Sequence, residues 1–560
     1  MVNLSPGQVN AFIWCLLIGF TGWLLHWLLA YVSLWRRGNQ FPGPKGHLLW
    51  GNTAELMGAG SITDLIARLH SEYGPVVRLW MSPTKLLISI RDPAQVRKVL
   101  MRALERPPAF SRIMARCLGA DSTRFSSLMQ PRARRSFLDY HCHTTLKFQV
   151  HEVTSTVVHM TSRHWTSVAG SGGEIDVGGV ARDMAVGVLG GSLFEATHEG
   201  FLSAMLSERS RYGQPLYNET TALAEAASLM LHGHLSVPGL LERVLVALAA
   251  HPDIQDKVVQ EIRAVANGGS PTDEDLQKLA YLNAVIYETS RLMPCQPLVT
   301  RCALSENIRL PVSPSPQFDN SSDGGFRSAS EGSSRGDTHG DVQGSGDVDN
   351  TRFLSVPSGT VLALPMHLLQ TDPSFWGDDA LEFRPERFIR FRMQQEKNES
   401  DEQAGKEGKR RREGKGSKGG KGDKGDKSEE VEQKGEREGE GKEGEQWREG
   451  LLPGRDYECV PPEQGEHFLM FGGGPRSCVG LRFSFKIVRA VVALLLHQFE
   501  ISLLPDMPNA FSSQLHSLAL HLSPSPKIRV SMRTPIPTMD PCDTVAPADD
   551  DDPTCNTASF

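Results

Sequence analysis

Residues 1–35 contain no Lys, Arg, Asp or Glu. The run AFIWCLLIGFTGWLLHWLLAYVSLW (11–35) is apolar for longer than the roughly 20 residues a helix needs to cross a bilayer. Arg36 and Arg37 follow at once, so the positive-inside rule places residue 37 onward on the cytosolic side, with Trp14, Trp27, Tyr31 and Trp35 available as interfacial anchors. A cleaved signal peptide would need a basic leader and a shorter apolar core, and neither is found. The reading is a retained single-pass anchor over residues 1–39, which makes a lipid bilayer the first partner of whatever follows. Pro42 and Pro44, with their neighbouring glycines in QFPGPKGHLLWGN (40–52), then form a stiff non-helical connector.

Beyond the anchor the chain has the means to bury a core: 560 residues, 39% of them hydrophobic. Its net charge of -7 leaves no global basic footprint, so no nucleic-acid partner is expected. The nine cysteines include no CxxC pair, which excludes a zinc ribbon or a thioredoxin-type site and fits a reducing compartment.

Helical periodicity dominates residues 53–311, with short β-like runs at VVRLWM (76–81) and KLLISI (85–90). The fold class expected is mainly α with a small β-sheet region, α+β. Residues 313–348 are Ser, Gly and Asp, and residues 396–446 are Lys, Glu and Gly. Neither stretch carries enough apolar surface to offset the entropy lost on ordering, so both are expected to be disordered inserts in a domain of residues 40–534. The basic cluster Lys409–Arg412 reads as part of a solvated mixed-charge loop, and residues 535–560 as a disordered acidic tail.

FGGGPRSCVG (471–480) presents Cys478 beside Arg476 just before a long apolar run. A phosphate cradle, GxxxxGK[ST], is excluded, and so is a dinucleotide fingerprint, because Ser477 stands where the third glycine would be. The run LRFSFKIVRAVVALLLHQFEISLL (481–504) reads as a buried core helix, which puts Cys478 at or just before its N-terminus, where a thiolate is favoured. Taken alone, the loop suits a nucleophile, a metal ligand or a plain glycine turn around a buried cysteine.

Phe471, Gly472, Gly474, Arg476, Cys478 and Gly480 together resemble the haem-binding loop FGxGxRxCxG of the cytochrome P-450 superfamily, microsomal type. The resemblance implies that the Cys478 thiolate is the axial iron ligand of heme b (iron protoporphyrin IX), and that Arg476 pairs with a propionate. Other marks of the family follow the same order. ETSR supplies Glu288 and Arg291, FRPERF supplies Arg387 for the structural Glu-Arg-Arg triad, and RLMPCQPLVTR brings Arg301 toward a propionate. The stretch LMQPRARRSFLDYHC (128–142) offers Arg134 or Arg135 for the other propionate, without the family's tryptophan.

Three departures bear on activity. LMLHGHLSVPGLLERV resembles the helix over the distal haem face, with Gly233 at the glycine that makes room for oxygen. There the family's acid-alcohol pair falls on Leu235 and Ser236: the hydroxyl survives and the carboxylate does not, while His232 and His234 are the alternative proton donors. Pro238 and Gly239 predict a kinked or weakened helix. Finally, the patterns at 176–195 and 199–210 almost touch, where the family inserts the helices that form a lid over the substrate channel. Either a segment is missing from the sequence, or the distal pocket is open to water.

The resemblance implies a monooxygenase at the endoplasmic reticulum membrane, catalytic domain in the cytosol, acting on a small lipophilic substrate. The sequence has no flavin or NADPH motif, so a separate NADPH-dependent flavoprotein reductase would supply electrons. Two alternatives stay open: a reductase-independent enzyme that rearranges or dehydrates a hydroperoxide, and a haem-binding protein without catalysis.

Overall fold

The computed structural model describes residues 6–59, 61–102, 146–194, 201–207, 209, 213, 215, 219–303, 308–312, 352–391, 457–460, 467–504 and 525–533. The two low-complexity stretches, the acidic tail, Arg134, Arg135 and the interval 195–200, where the lid would belong, lie outside these residues.

Helix α1 (Pro6–Gly38) takes in the uncharged run, and its large apolar side chains from Phe12 to Leu29 stand exposed. Its last turns behave differently. Trp35 is buried, stacks on Trp80 with ring centroids 4.2 Å apart, and donates from Nε1 to the Pro83 carbonyl at 2.7 Å. The connector after it is held from the side. Pro42 and Pro44 have no N–H and the segment makes little regular structure of its own, so its carbonyls need a donor from elsewhere. The buried Arg78 guanidinium supplies one, reaching the carbonyls of Asn39, Phe41, Gly43 and Pro44 at 2.9 to 3.3 Å.

After α2 (Thr53–Gly58) and α3 (Ile62–Tyr73), the runs at 76–81 and 85–90 form an antiparallel hairpin, β1 (Val76–Ser82) and β2 (Lys85–Ile90). Helix α4 (Pro93–Met101) starts on Asp92, whose carboxylate accepts from Gln95 N at 2.7 Å, with proline in its first turn. The helical body follows as α5 (Leu146–Ser171), α6 (Val177–Phe194), α7 (Phe201–Ser207), α8 (Glu219–Ala250), α9 (Pro252–Val265), α10 (Asp273–Lys278) and α11 (Ala280–Leu292), with the short β3 (Glu174–Asp176) before α6. Its core gathers Met184 and Val188 of α6 and Leu241, Val244 and Leu248 of α8 into one buried cluster. Each such side chain contributes about 1.5–3 kcal/mol relative to exposure.

Helix α8 continues as one helix past Pro238 and Gly239. Proline removes one backbone bond there, and the flanking Val237, Leu240 and Leu241 are buried. Helix α11 has no cap of its own; Glu261 of α9 accepts from Tyr281 N at 2.7 Å and Leu282 N at 2.9 Å instead. Complete burial lifts the Glu261 carboxyl to about 7, against the opposing pull of these donors.

The remaining strands are β4 (Leu298–Cys302), β5 (Arg309–Val312), β6 (Arg352–Ser355), β7 (Val361–Pro365), β8 (Ile389–Phe391), β9 (Tyr457–Cys459), β10 (Phe499–Leu503) and β11 (Lys527–Met532). A four-stranded sheet runs β1-β2-β7-β4, with β2 and β7 parallel; a second sheet runs β10-β11-β3. Two antiparallel ladders bracket the low-complexity stretches. In β5/β6 Val312 faces Arg352, and in β8/β9 Phe391 faces Tyr457, so the described residues on either side of each stretch are paired. Tyr457 OH also donates to Glu261 at 2.9 Å, tying β9 to α9.

Helices α12 (Met366–Gln370) and α13 (Pro373–Trp376) follow β7, and α14 (Leu481–Gln498) follows the glycine loop. The run at 481–504, read from sequence as one helix, is helix only to Gln498. FEISL then alternates buried Phe499 and Ile501 with outward Glu500 and Ser502, a period of two, and becomes β10.

Candidate functional site

The loop at 471–480 takes its shape from its glycines. Gly472 and Gly474 both sit at φ +68°, the left-handed region closed to most side chains. Gly472 N donates to Leu469 O at 2.9 Å, Ser477 N to Gly474 O at 3.0 Å, and Cys478 N to Phe471 O at 2.8 Å. Gly474 is further constrained, because a Cβ there would lie 2.3 Å from the Leu100 carbonyl oxygen near the end of α4. The loop is thus seated on α4, and it turns Cys478 outward: that thiol is exposed while the residues around it are half-buried.

Cys478 lies two residues before Gly480, the N-cap of α14. The N–H groups and dipole of an 18-residue helix favour negative charge at this end, and Arg476 in the 3-10 turn Gly474–Arg476 adds a cation nearby in sequence. A Cβ on Gly480 would come within 4.0 Å of Cys478 Sγ, so glycine keeps the space beside the sulfur open. Among the described residues no group of three or more His, Cys, Asp or Glu is arranged to hold a metal ion. Cys478 therefore suits chemistry that asks one thiolate of the protein: an axial bond to the metal of a prosthetic group, or a nucleophilic attack.

Behind the loop the structure brings Glu288, Arg291 and Arg387 together. Glu288 and Arg291, one helical turn apart on α11, are fully buried; Arg291 Nε and Nη2 donate to the two carboxylate oxygens at 2.7 and 2.8 Å. Arg387 Nε stands 3.4 Å from Glu288 Oε1 and pairs with Asp379 at 2.9 Å through Nη1. The remaining donors of Arg291 reach the carbonyls of Gln370, Ala380 and Glu382, and its guanidinium lies over the Trp376 ring at 4.9 Å.

The link from this cluster to the cysteine loop is Gln370, which sequence reasoning missed. Its buried amide donates to the Ser290 and Arg291 carbonyls at 3.0 Å and accepts from Leu469 N at 3.0 Å. Leu469 O in turn receives Gly472 N, so one chain of hydrogen bonds runs from Glu288 to the loop. A glutamine at the end of a five-residue helix carries no local signal of this role; its partners are 79 to 99 residues away.

On α8, the Ser236 hydroxyl donates to His232 O at 2.8 Å within the helix, and Leu235 beside it is 37% exposed. A Cβ on Gly233 would meet Leu189 of α6 at 2.9 Å, so this glycine permits close approach of α6 and α8. His234 lines an open apolar depression of about 330 Å³ with Val186, Ala227, Met230 and Leu231. Arg301 lies buried on β4, opposite Leu362 of β7, with Nη1 donating to Thr300 O at 3.0 Å.

Comparison with known proteins covers part of this site: α8, Glu288, Arg291, Arg301 and the cysteine loop fall within the matched segments, and Gln370 and Arg387 fall outside them. The cytochrome P450 family model matches residues 182–310 and 461–531, interrupted across the interval that holds both low-complexity stretches. Cytochrome P450 97B2, chloroplastic, of Glycine max is 25% identical over 279 residues, 49% of this chain and 34% of that protein. Cytochrome P450 monooxygenase 91 of Postia placenta is 26% identical over 286 residues, 51% of this chain and 36% of that protein. A bifunctional cytochrome P450/NADPH–P450 reductase of Acremonium egyptiacum is 28% identical over 187 residues, 33% of this chain and 14% of that protein. The chain thus spans about a third of the length of the first two relatives.

Proposed function

Because this chain belongs to the cytochrome P450 superfamily, we propose that it is a haem-thiolate monooxygenase using O2 and electrons from a separate NADPH-dependent flavoprotein reductase to oxygenate a small lipophilic substrate. The observation that carries this reading is Cys478, an exposed thiol held by its own backbone bond to Phe471 O at the mouth of α14. The donor set suits heme b: one exposed thiol, with no metal-holding cluster of His, Cys, Asp or Glu among the described residues and with glycine at 480 beside the sulfur.

In this reading the Cys478 thiolate would hold the haem iron, and Arg476, Arg301 and, outside the described residues, Arg135 would pair with its propionates as charge-assisted donors. When bound, the haem iron supplies the centre for oxygen activation, with electron density from the thiolate favouring O–O cleavage. The α4 contact at Gly474 and the Gln370 bridge keep the thiol in place, so that the loop does not reorganise on loading. Gly233 and Ser236 lie on the distal helix, with Ser236 the only hydroxyl of the former acid-alcohol pair; Leu235 neither donates nor accepts a proton. The names of two relatives, one a monooxygenase and one fused to a reductase, support the reaction class and the electron source. The α1 helix supports placement at a membrane, for which we take the endoplasmic reticulum with the domain cytosolic.

The test is the absorption spectrum of dithionite-reduced protein with and without carbon monoxide. A strongly red-shifted Soret band that is lost in Cys478→Ala supports thiolate ligation; an unshifted band, or no haem uptake, overturns it. A second reading, rearrangement or dehydration of a hydroperoxide, is favoured by Leu235 and by a Ser236 hydroxyl already committed to His232 O. Such substrates bring their own O–O bond, so turnover of a fatty-acid hydroperoxide without any reductase would select it.

A further inference from the structure

Helix α8 presents its two neighbouring histidines to different sides of the fold. Gly233 approaches α6, where a Cβ would meet Leu189 at 2.9 Å, and Ala226 and Val237 are buried along the same strip. His234 lines the open apolar depression together with Val186 of α6, which turns its ring to that flank. Residues two apart on an α-helix stand about 160° from each other around the axis. His232 is therefore set on the opposite flank from His234.

Ser236 stands on the His232 side. The two are one turn apart, and the Ser236 hydroxyl donates to His232 O at 2.8 Å. That bond uses the one proton a hydroxyl owns, so Ser236 offers its surroundings an acceptor. Leu235 offers neither donor nor acceptor, and its side chain is exposed. The donor on this side is the half-buried imidazole of His232, which carries a ring N–H in either protonation state. The same side can be followed toward the C-terminus of α8: Arg243 comes about three turns after His232 at nearly the same azimuth. Arg243 is buried, and it is the cation that opposes the rise burial imposes on the Cys295 thiol. The His232 side of α8 is thus turned toward the segment that runs from Met293 into β4, the strand that holds Arg301.

We propose that His232 supplies the hydrogen-bond donor of the distal haem side that Leu235 does not, with Ser236 as the acceptor beside it, and that His234 takes no part. The proposal rests on the haem-thiolate reading above. Full-length protein is reduced with dithionite under carbon monoxide, and two bands are read. The Soret band reports thiolate ligation. The infrared C–O stretch reports a donor at the oxygen of the bound carbon monoxide, because such a donor draws electron density into the antibonding orbital and lowers the frequency. The expected result is a wild-type stretch that moves in D2O, rises in His232→Leu, keeps its D2O response in His232→Gln, whose amide retains an N–H, and is unchanged in His234→Leu. A red-shifted Soret band with a stretch equal in wild type and His232→Leu overturns the His232 donor while leaving thiolate ligation intact. A stretch that rises in His234→Leu and not in His232→Leu does the same. Should His232→Leu fail to take up haem, an unmoved wild-type stretch in D2O overturns the proposal without any variant. Absence of the red-shifted Soret band in the wild type overturns both readings.

Discussion

Replacing Gly474 and Gly472 by alanine, one at a time, separates two demands the loop makes on its glycines. Both have φ +68°, so each alanine carries the left-handed penalty of about 1–2 kcal/mol. At Gly472 nothing lies within 4 Å of the added Cβ, and the cost stops there. At Gly474 the new Cβ falls 2.3 Å from Leu100 O and 2.8 Å from Leu100 C, against the 3.0 Å that real Cβ contacts respect. The obstacle is helical backbone, so the loop must move off α4, adding about 1–3 kcal/mol of strain or lost contact. The expected order is therefore Gly474→Ala at about 2–5 kcal/mol and Gly472→Ala at about 1–2 kcal/mol. Urea unfolding monitored by tryptophan fluorescence reads the stabilities, and the reduced carbon monoxide spectrum reads whether Cys478 is still presented. Equal losses in the two variants would refute the claim that the loop is seated on α4.

Three further outcomes follow from the same geometry. Glu288→Gln leaves the fully buried Arg291 without its counter-charge and should cost about 3–5 kcal/mol, whereas Glu72→Gln, whose exposed pair with Arg68 spans 4.0 Å, should change stability by less than about 1 kcal/mol in the same urea titration. Burial, reinforced by nearby Arg91 and His367, holds His70 at about 4, with Nδ1 facing Gly74 O and Nε2 facing Ser89 Oγ, both at 2.8 Å. The unfolded chain binds a proton there near 6.5, so stability is full above that pH and falls by up to about 3 kcal/mol as pH drops toward 4; His70→Gln should flatten that part of the curve. Joining Val312 to Arg352 through a short glycine turn should leave the melting temperature unchanged or higher, since each halving of a loop recovers about 0.6 kcal/mol, and a chain that no longer folds would contradict the β5/β6 ladder.

What the sequence determined by itself was whatever a short window contains. The apolar run of α1, the β1 and β2 hairpin and the Glu288–Arg291 spacing on α11 are local patterns, because helical and strand periods are written within a few turns. The cysteine loop is legible for the same reason: its backbone bonds join residues no more than seven apart, as in Cys478 N to Phe471 O. Where two periods met in one apolar run, the boundary at Gln498 was not legible. Only the tertiary structure decided that Gln370 ties Arg291 to the loop, that Arg78 holds the proline connector, that Leu100 requires Gly474 to be glycine, and that β5 pairs with β6 and β8 with β9. Each of these joins groups distant in the chain, and which distant groups meet is set by packing of the whole core, not by the preferences of the residues that meet.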